Sequence, residues 1–443
     1  MTEQELTQAF GAVDITTPQM KKAIKDWYGL YYDDTKDKDS DPCQQIAYTI
    51  VRKLTKATFA EYTATSKDDF TGKILDELYG VRNKALQQSL IGGSVLLKPV
   101  PVDDGFIFLP VPRNNIMVFG RDAFGNIVDM GTTEESTYGN NYYTLLERRR
   151  VDTDGLTITN RLYASPNKNQ LGKPVSLTSI PRYENLAEEL HLPIDSIGLV
   201  ALNTPVENCV DGSADSVSIY AKAAGLIHNI NHNEALINSE FDNGKSRIIA
   251  SADMFEQKEN GCKKLDQDLF VGIDEDPADI GITVFSPQLR EQSFLNRKNE
   301  YLRNVESVIG LKRGLLADVQ DVERTATEIA SSDGDYNLTI IDFQKAWERT
   351  AKALVILCGK LGKLYQVSGA KEYTDVDISF DWGNGVLFDP DRTFAEDLDL
   401  VARGMLKPEI ALAKHYKMAY DTESDLRKVR EKYMPELGQI AGE

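Results

Sequence analysis

Cysteine is scarce in this sequence, and the cysteines that are present lie far apart. The four are Cys43, Cys209, Cys262 and Cys358. Zinc sites and disulfide frameworks need closely spaced or paired cysteines. The sequence therefore predicts free thiols and disfavours a domain stabilised by zinc or by disulfides.

Long apolar runs are lacking as well. No stretch of about 18 apolar residues, the length needed to cross a membrane, occurs in the 443 residues. Residues 1–14 have neither the basic start nor the apolar stretch of a signal peptide. The sequence thus predicts a soluble protein that is intracellular when made.

Positive charge is in deficit, because 50 Lys and Arg stand against 69 Asp and Glu, for a formal net charge of −19. Proteins that hold nucleic acid tightly neutralise many phosphates with basic residues, so that class is disfavoured. DNA could still pass as a cargo, since an acidic wall lowers the attraction that would stall a moving polymer.

Residues suited to catalysis are few. Of the four histidines, His228 and His232 lie four positions apart on a predicted helix, but no H-E-x-x-H motif surrounds them. No serine or cysteine has a histidine at a motif spacing. The sequence predicts no catalytic residue, no metal site and no cofactor.

One fragment, Gly244-Lys245-Ser246, matches the end of a phosphate-binding loop. Ser239 stands where that motif needs its first glycine. The fragment also follows a predicted helix, whereas the motif leads from a strand into a helix. An NTPase that uses Lys245 is therefore only the weaker alternative.

Two segments, 214–243 and 288–309, have the apolar spacing of amphipathic helices. If the first is unbroken, it is about 45 Å long at 1.5 Å per residue. The apolar positions are Ile219, Ala223, Leu226, Ile227, Ile230 and Ile237 in the first segment, and Phe294, Leu295, Tyr301, Leu302, Val305 and Ile309 in the second. Between these segments, β-branched and aromatic residues predict short strands at 245–250, 268–273 and 281–285.

A third long helix is predicted to begin at Thr325, because Thr325 and Glu328 fit a capping box. Its apolar pattern continues to Leu361, with Gly334 as the predicted kink or interruption. The other predicted elements are helices at 17–32, 44–56 and 68–89, a mixed sheet at 95–158, a short helix at 184–190 and short helices at 389–436, broken near Gly404.

The order of these elements favours a ring subunit over an enzyme. The sequence resembles the portal proteins of tailed bacteriophages, of the kind found in phages of Gram-positive bacteria, over roughly residues 46–365. The motifs that carry the resemblance are Thr-Ala-Thr-Glu at 325–328, Tyr-Tyr-Thr-Leu-Leu-Glu at 142–147, Leu-Gly at 171–172 before Val-Ser-Leu at 175–177, Gly-Ser at 212–213 and Phe-Asp-Asn-Gly-Lys-Ser-Arg-Ile at 241–248.

The resemblance implies an α+β fold, a portal-like subunit with a mixed α/β wing, a two-helix stem, a small β-rich clip, a long wing helix and a short helical crown. The boundaries that it implies are an N-terminal wing of helices plus mixed sheet at 1–213, stem helices at 214–243 and 288–309, a clip at 244–287, a tunnel loop at 310–324, the long wing helix and strands at 325–388, and the crown at 389–443.

The resemblance also implies a dodecameric ring at one capsid vertex, through which double-stranded DNA is packaged and later ejected as a non-specific cargo. The clip would dock the terminase large subunit and then the head-completion adaptor, and the wing would meet scaffolding and major capsid proteins. The protein would be a non-enzymatic virion component, made in the host cytoplasm, with no membrane partner. Twelve copies with this charge would repel one another, so assembly is expected to depend on salt or divalent cations.

Site residues follow from the same resemblance. Lys312 and Arg313 in the tunnel loop would lie close to passing phosphates, although solvated loop charges are an equally good interpretation. The other tunnel-loop residues are Asp318, Gln320 and Asp321, of which the two aspartates would limit the grip on DNA. The stem residues expected to meet neighbouring subunits are Ile219, Ala223, Leu226, Ile230, Phe294, Leu302 and Val305.

A capsid-associated structural protein that does not conduct DNA is the main alternative. Deleting residues 312–316 separates the two hypotheses, because normal packaging after the deletion would argue against a conduit role for the loop. ATP turnover lost on Lys245→Ala would favour the NTPase instead.

Overall fold

The computed structural model describes residues 1–34, 41–244, 247–249, 255–257, 263–265, 283–285, 288–318, 326–383, 390–416, 418, 420 and 422–434.

Several helices begin at a polar residue that accepts a hydrogen bond from the first helical turn, which satisfies a backbone N–H that has no partner within the helix. Thr17 and Asp68 do so for the second and fourth helices. The helices α1 to α10 are Glu3–Phe10, Pro18–Tyr32, Ile46–Thr58, Asp69–Gly92, Ala224–Asn243, Glu291–Ile309, Ala326–Leu364, Pro390–Ala402, Pro408–His415 and Glu423–Tyr433.

The strands β1 to β15 are Thr63–Thr65, Ser94–Val102, Gly105–Pro112, Ile116–Arg121, Ile127–Tyr138, Asn141–Asp152, Gly155–Ser165, Lys173–Val175, Glu189–Leu192, Val200–Asn203, Arg247–Ile249, Phe255–Gln257, Lys263–Leu265, Thr283–Phe285 and Ser379–Asp381. The largest sheet has the order β4-β5-β6-β7-β8, and β9 also pairs with β7. A second sheet has the order β10-β2-β3, while β1-β15, β11-β14 and β12-β13 are two-stranded.

Every strand pair among the described residues is antiparallel. The expectation of a mixed sheet is therefore wrong. The physical reason is the shortness of the connections: β5, β6 and β7 follow one another through two-residue turns, which can join antiparallel neighbours only.

The main hydrophobic core joins α2, α3, α4 and α7 to one face of the β10-β2-β3 sheet. Trp347 in α7 is almost completely buried there, and its indole N–H donates to the Tyr62 hydroxyl at 3.0 Å. The buried ends of α5 and α6 belong to the same core. The two long amphipathic helices are thus fixed at one end to the largest packed unit of the chain.

A buried ion-pair cluster links the two larger sheets. The Glu147 carboxylate on β6 accepts from Arg149 Nε at 2.7 Å and pairs with Lys98 on β2. Burial raises the pKa of Glu147, but the two cations outweigh burial and hold this pKa at about 2. Arg149 also donates to the Ile197 carbonyl at 2.9 Å. Its guanidinium therefore has a second acceptor besides Glu147.

Most predicted helices are confirmed, and two corrections concern residues 184–190 and Gly334. Residues 184–190 were expected to be a short helix, but Glu189–Leu192 is a strand that pairs with β7, because a hydrophobic-polar alternation fits its half-buried edge position. Helix α7 runs through Gly334, so the expected interruption is absent, and the alternative of a kink at Gly334 stays a prediction. At 39 residues it is about 58 Å long. No helix within the described residues is long and apolar enough to cross a membrane.

Candidate functional site

Helices α5 and α6 pack against each other in antiparallel orientation. Asn233 Nδ2 donates to the Phe294 carbonyl at 3.2 Å, and Lys298 pairs with Glu234 at 2.7 Å. At the opposite end of the pair, Arg290 pairs with Glu240, also at 2.7 Å. Polar contacts in the half of the pair that lies away from the main core therefore join the two helices as one hairpin.

The two ends of this helix pair differ in their surroundings. Near the main core, Ile227 and Ile230 of α5 and Leu302, Val305 and Ile309 of α6 are buried. Toward the other end, apolar side chains are open to solvent. The exposed ones are Leu236, Phe241, Leu289 and Leu295. We call these four residues the exposed stem patch.

The first helix is shorter than expected. It was predicted over 214–243, but α5 begins at Ala224, so its length is about 30 Å. Before it, Ser218 Oγ donates to the Leu90 carbonyl and accepts from the Tyr220 amide. Side-chain hydrogen bonds of this kind compete with helix formation, and residues 214–223 form irregular backbone and turns instead, with Ser218 bound to Leu90 near the C-terminal end of α4.

Most of the predicted stem-interface residues are buried inside the chain itself. Five of them are at most 7% exposed, namely Ile219, Ala223, Ile230, Leu302 and Val305. Leu226 and Phe294 are half-buried. Contact of these seven residues with a neighbouring subunit stays a prediction, but the five buried ones already have packing partners within one copy.

The chain after α6 folds back on the helix. Lys312 and Arg313 are exposed at the turn, as expected of residues that could meet a ligand, and Asp318 is exposed as well. Leu311 is buried, and Leu315 and Leu316 pack against the main core. Gln320, Asp321 and Thr325 lie outside the described residues.

The start of α7 agrees with the helix start that the sequence predicts. Helix α7 begins at Ala326, one residue after Thr325. The capping box itself lies outside the described side chains, because neither Thr325 nor the Glu328 side chain is described. The predicted helix start is confirmed, and its cap stays a prediction.

Between α5 and α6 the described residues form two antiparallel strand pairs. β11 and β14 confirm the strands predicted at 245–250 and 281–285. β12 and β13 form a pair that the sequence patterns did not predict. The strand predicted at 268–273 lies outside the described residues.

The elements that flank residues 245–246 follow the reverse order of those in a phosphate-binding loop. α5 ends at Asn243 and strand β11 follows, so the segment leads from helix to strand. Lys245 and Ser246 themselves lie outside the described residues. With this order, no helix N-terminus follows the lysine to receive a phosphate.

His228 on α5 lies between the carboxylates of two aspartates. Its Nε2 lies 2.8 Å from Asp26 Oδ1, and its Nδ1 lies 3.6 Å from Asp41 Oδ2. The hydrogen bond with Asp26 raises the pKa of His228. The carboxylates lie on opposite sides of the ring, and in the part of the chain that is described no cluster of His, Cys, Asp and Glu is arranged to hold a metal ion.

This raised pKa predicts a small pH effect on stability. Protonated His228 stabilises the fold below its unfolded-state pKa of about 6.5, and the contribution is lost as the pH rises through the raised folded-state pKa. His228→Gln should therefore lower the free energy of unfolding more at pH 5.5 than at pH 8.5, measured by urea unfolding. The effect should stay below about 1 kcal/mol, because solvent screens the partly exposed pair.

The control for this prediction is His232→Gln, which changes an exposed histidine one turn along the same helix. It should show no such pH-dependent difference. Equal behaviour of the two variants would contradict a specific role for the Asp26–His228–Asp41 contact.

The chain was compared with protein families, with curated proteins and with solved structures. Residues 124–432 match the family model described as phage portal protein, SPP1 Gp6-like. No curated protein matches the chain. Among solved structures, a chain of the "Neck of native GTA particle computed with C12 symmetry" aligns with a TM-score of 0.46 and 13% identity, covering 94% of this chain and 98% of that chain.

Proposed function

Because this chain belongs to the SPP1 Gp6-like family of phage portal proteins, we propose that it forms a ring-shaped channel at a capsid vertex through which double-stranded DNA is packaged and ejected. Members of this family are structural components of the phage particle. The ring is proposed to be a dodecamer, and the ATPase motor is proposed to be a separate protein.

The exposed stem patch is the observation that carries this proposal. Leu236 and Phe241 are five residues apart, so they lie about 140° apart around α5 at 100° per residue. The side of α5 that packs on α6 lies between them, as Asn233 and Glu240 show by their contacts with α6. Each helix pair thus has an apolar side chain on each flank. A closed ring needs such two-sided contacts, because every subunit meets two neighbours through different surfaces.

The parts of the chain are proposed to serve the ring as follows. α5 and α6 form the stem, residues 244–287 the clip, and residues 310–324 the tunnel loop. Residues 1–213 and 325–388 form the wing, and residues 389–443 the crown. The clip is proposed to dock the terminase large subunit and the head-completion adaptor. The wing is proposed to meet scaffolding and major capsid proteins.

DNA contact is proposed at the turn that carries Lys312 and Arg313. Two adjacent exposed cations can approach phosphates without gripping them, since the chain as a whole is strongly acidic. In a ring, each copy would place one such pair around the passing duplex. Contacts of this kind are independent of DNA sequence, as a packaging channel requires.

The test is the double substitution Lys312→Ala with Arg313→Ala. We expect rings to assemble normally and DNA packaging, measured as nuclease-protected DNA per capsid, to fall several-fold. This substitution is sharper than deletion of residues 312–316, because the deletion would also remove Leu315 and Leu316 from the main core.

A matched control is Arg427→Ala with Lys428→Ala, which removes another adjacent pair of exposed cations, on α10. It should package DNA normally. Normal packaging by the tunnel-loop variant, with intact rings, would contradict DNA contact at this turn and favour the structural alternative.

A further inference from the structure

Glu306 is a completely buried carboxylate that no sequence motif singles out. It lies on α6 between the buried residues Val305 and Ile309. Its side chain accepts hydrogen bonds from three backbone amides of the loop that follows the helix. Oε2 accepts from Gly314 N at 3.2 Å, and Oε1 accepts from Leu316 N at 2.5 Å and Ala317 N at 3.0 Å.

The loop reaches Glu306 because the helix ends in a sharp reversal. Gly310 has a φ of 75°, in the left-handed region. Glycine adopts this conformation most easily because it has no Cβ. The Leu311 amide then donates to the Glu306 carbonyl at 2.8 Å. From there the chain runs back along α6 and brings residues 314–317 against the buried carboxylate.

Other contacts hold the far side of the same loop. Lys53 of α3 donates to the Leu315 carbonyl at 2.5 Å. The Ala317 and Leu311 side chains are both buried in the main core. The turn that exposes Lys312 and Arg313 is therefore bounded on both sides by residues fixed to the core.

A carboxylate suits this task better than a neutral acceptor. Hydrogen bonds to a charged acceptor are stronger than those between neutral groups, and a buried amide that loses its acceptor is costly. The two oxygens of one side chain accept from three amides of the loop, and one of these amides belongs to the buried Ala317. Much of the loop's fixed conformation thus depends on this one residue.

We propose that Glu306 is the positioning residue of the DNA-contacting turn. It holds residues 312–314 at a fixed position relative to α6. Lys312 and Arg313 therefore contact the phosphodiester backbone from a fixed position and not from a mobile loop. This inference rests on the proposed function, because it assigns the turn to DNA. Glu306 itself does not touch DNA.

The first test measures the loop directly. In Glu306→Ala, amide hydrogen exchange at residues 314, 316 and 317 should become about tenfold faster, the factor that a hydrogen bond to a charged acceptor typically supplies. Glu306→Gln keeps one carbonyl oxygen, which can serve the two amides bound by Oε1. In that variant residues 316 and 317 should stay protected while Gly314 exchanges faster. Mass spectrometry with residue-level fragmentation distinguishes the three amides.

The matched control is Glu300→Gln on the same helix, where the carboxylate is exposed and pairs with Arg297 at 2.8 Å. Its exchange in the loop should equal that of the unaltered protein. Unchanged loop exchange in both Glu306 variants would overturn the positioning role. The Gln variant covers the case in which the Ala variant fails to fold.

The second test connects the loop to DNA. Glu306→Gln should lower packaging without changing ring assembly, and it should cause no further loss when combined with Lys312→Ala and Arg313→Ala. This non-additivity is the signature of residues that act through one another. Additive losses would overturn the proposal, since Glu306 would then act by a separate route.

The two tests also separate this inference from the proposed function. If loop exchange changes as expected but every variant packages DNA normally, the proposed DNA contact is wrong and the positioning of a DNA-contacting turn fails with it. If the cation variant loses packaging but loop exchange is unchanged in the Glu306 variants, the function stands and only the role of Glu306 is overturned.

Discussion

The Phe241→Asp variant is expected to lose ring formation while each chain stays folded. Phe241 is 47% exposed at the end of α5, so about half of its surface is still open to a neighbouring subunit. In a ring, burial of the exposed half of this side chain contributes roughly 0.8–1.5 kcal/mol per subunit, half of the value for a whole aromatic side chain. Aspartate would reverse this gain, because a buried carboxylate without a partner is strongly unfavourable. This cost recurs at every subunit contact of the ring, so we expect only monomers. Sedimentation velocity measures the size of the particles.

The control for this prediction is Phe124→Asp, the same substitution at a residue that is 91% exposed in the turn between β4 and β5. We expect this variant to assemble normally. Far-ultraviolet circular dichroism of both variants should match that of the unaltered chain, which would show that each chain is folded. Rings of normal size from Phe241→Asp would contradict the assignment of the exposed stem patch to subunit contacts.

The Glu147→Ala variant is expected to have the largest effect on stability, a loss of about 3–5 kcal/mol in the free energy of unfolding. The change leaves the cations of Lys98 and Arg149 near the core without the carboxylate that both contact. Guanidinium unfolding monitored by circular dichroism measures the loss. Glu135→Ala, which changes an exposed glutamate on the neighbouring strand β5, should have little effect.

The pH dependence of the Glu147 effect has a defined sign. The folded-state pKa is about 2, whereas the ordinary value is 4.5. The contribution of the ionised carboxylate is therefore complete above pH 4.5 and is lost as the pH falls toward 2. The difference between the unaltered protein and Glu147→Ala should be constant from pH 8 to pH 5 and shrink below that range. A constant difference down to pH 2.5 would contradict the ion-pair explanation.

Hydrophobic periodicity predicted the helices well, because a helix must bury an apolar face whatever covers it. The same signal could not say what covers that face. Ile230 and Val305 were expected to meet a neighbouring subunit, yet they are buried in the chain's own core. The start of α5 was also missed, since the hydrogen bond from Ser218 to Leu90 joins residues far apart in sequence.

Glu306 shows a signal that sequence reasoning could have used. Leu302, Val305, Glu306 and Ile309 occupy the i, i+3, i+4 and i+7 positions of one helical face. Burial of a glutamate on such a face is unfavourable unless its carboxylate binds a specific partner. Its partners here are loop amides that follow the helix, and only the structure identifies them.

The antiparallel arrangement of the large sheet was likewise open to prediction. The turns at Gly139 and Gly155 join β5, β6 and β7 directly, and only hairpins have such short connections. The strands β12 and β13, between α5 and α6, carried no comparable signal. They are three residues each, which is too short for an alternating pattern to be recognised.

Single-particle electron microscopy of the purified chain tests the central claim most directly. The account predicts a hollow ring in which α5 and α6 of each copy contact the helix pairs of both neighbours through the exposed stem patch. A preparation that contains only monomers, or a ring in which this patch faces solvent and no neighbour, would contradict it.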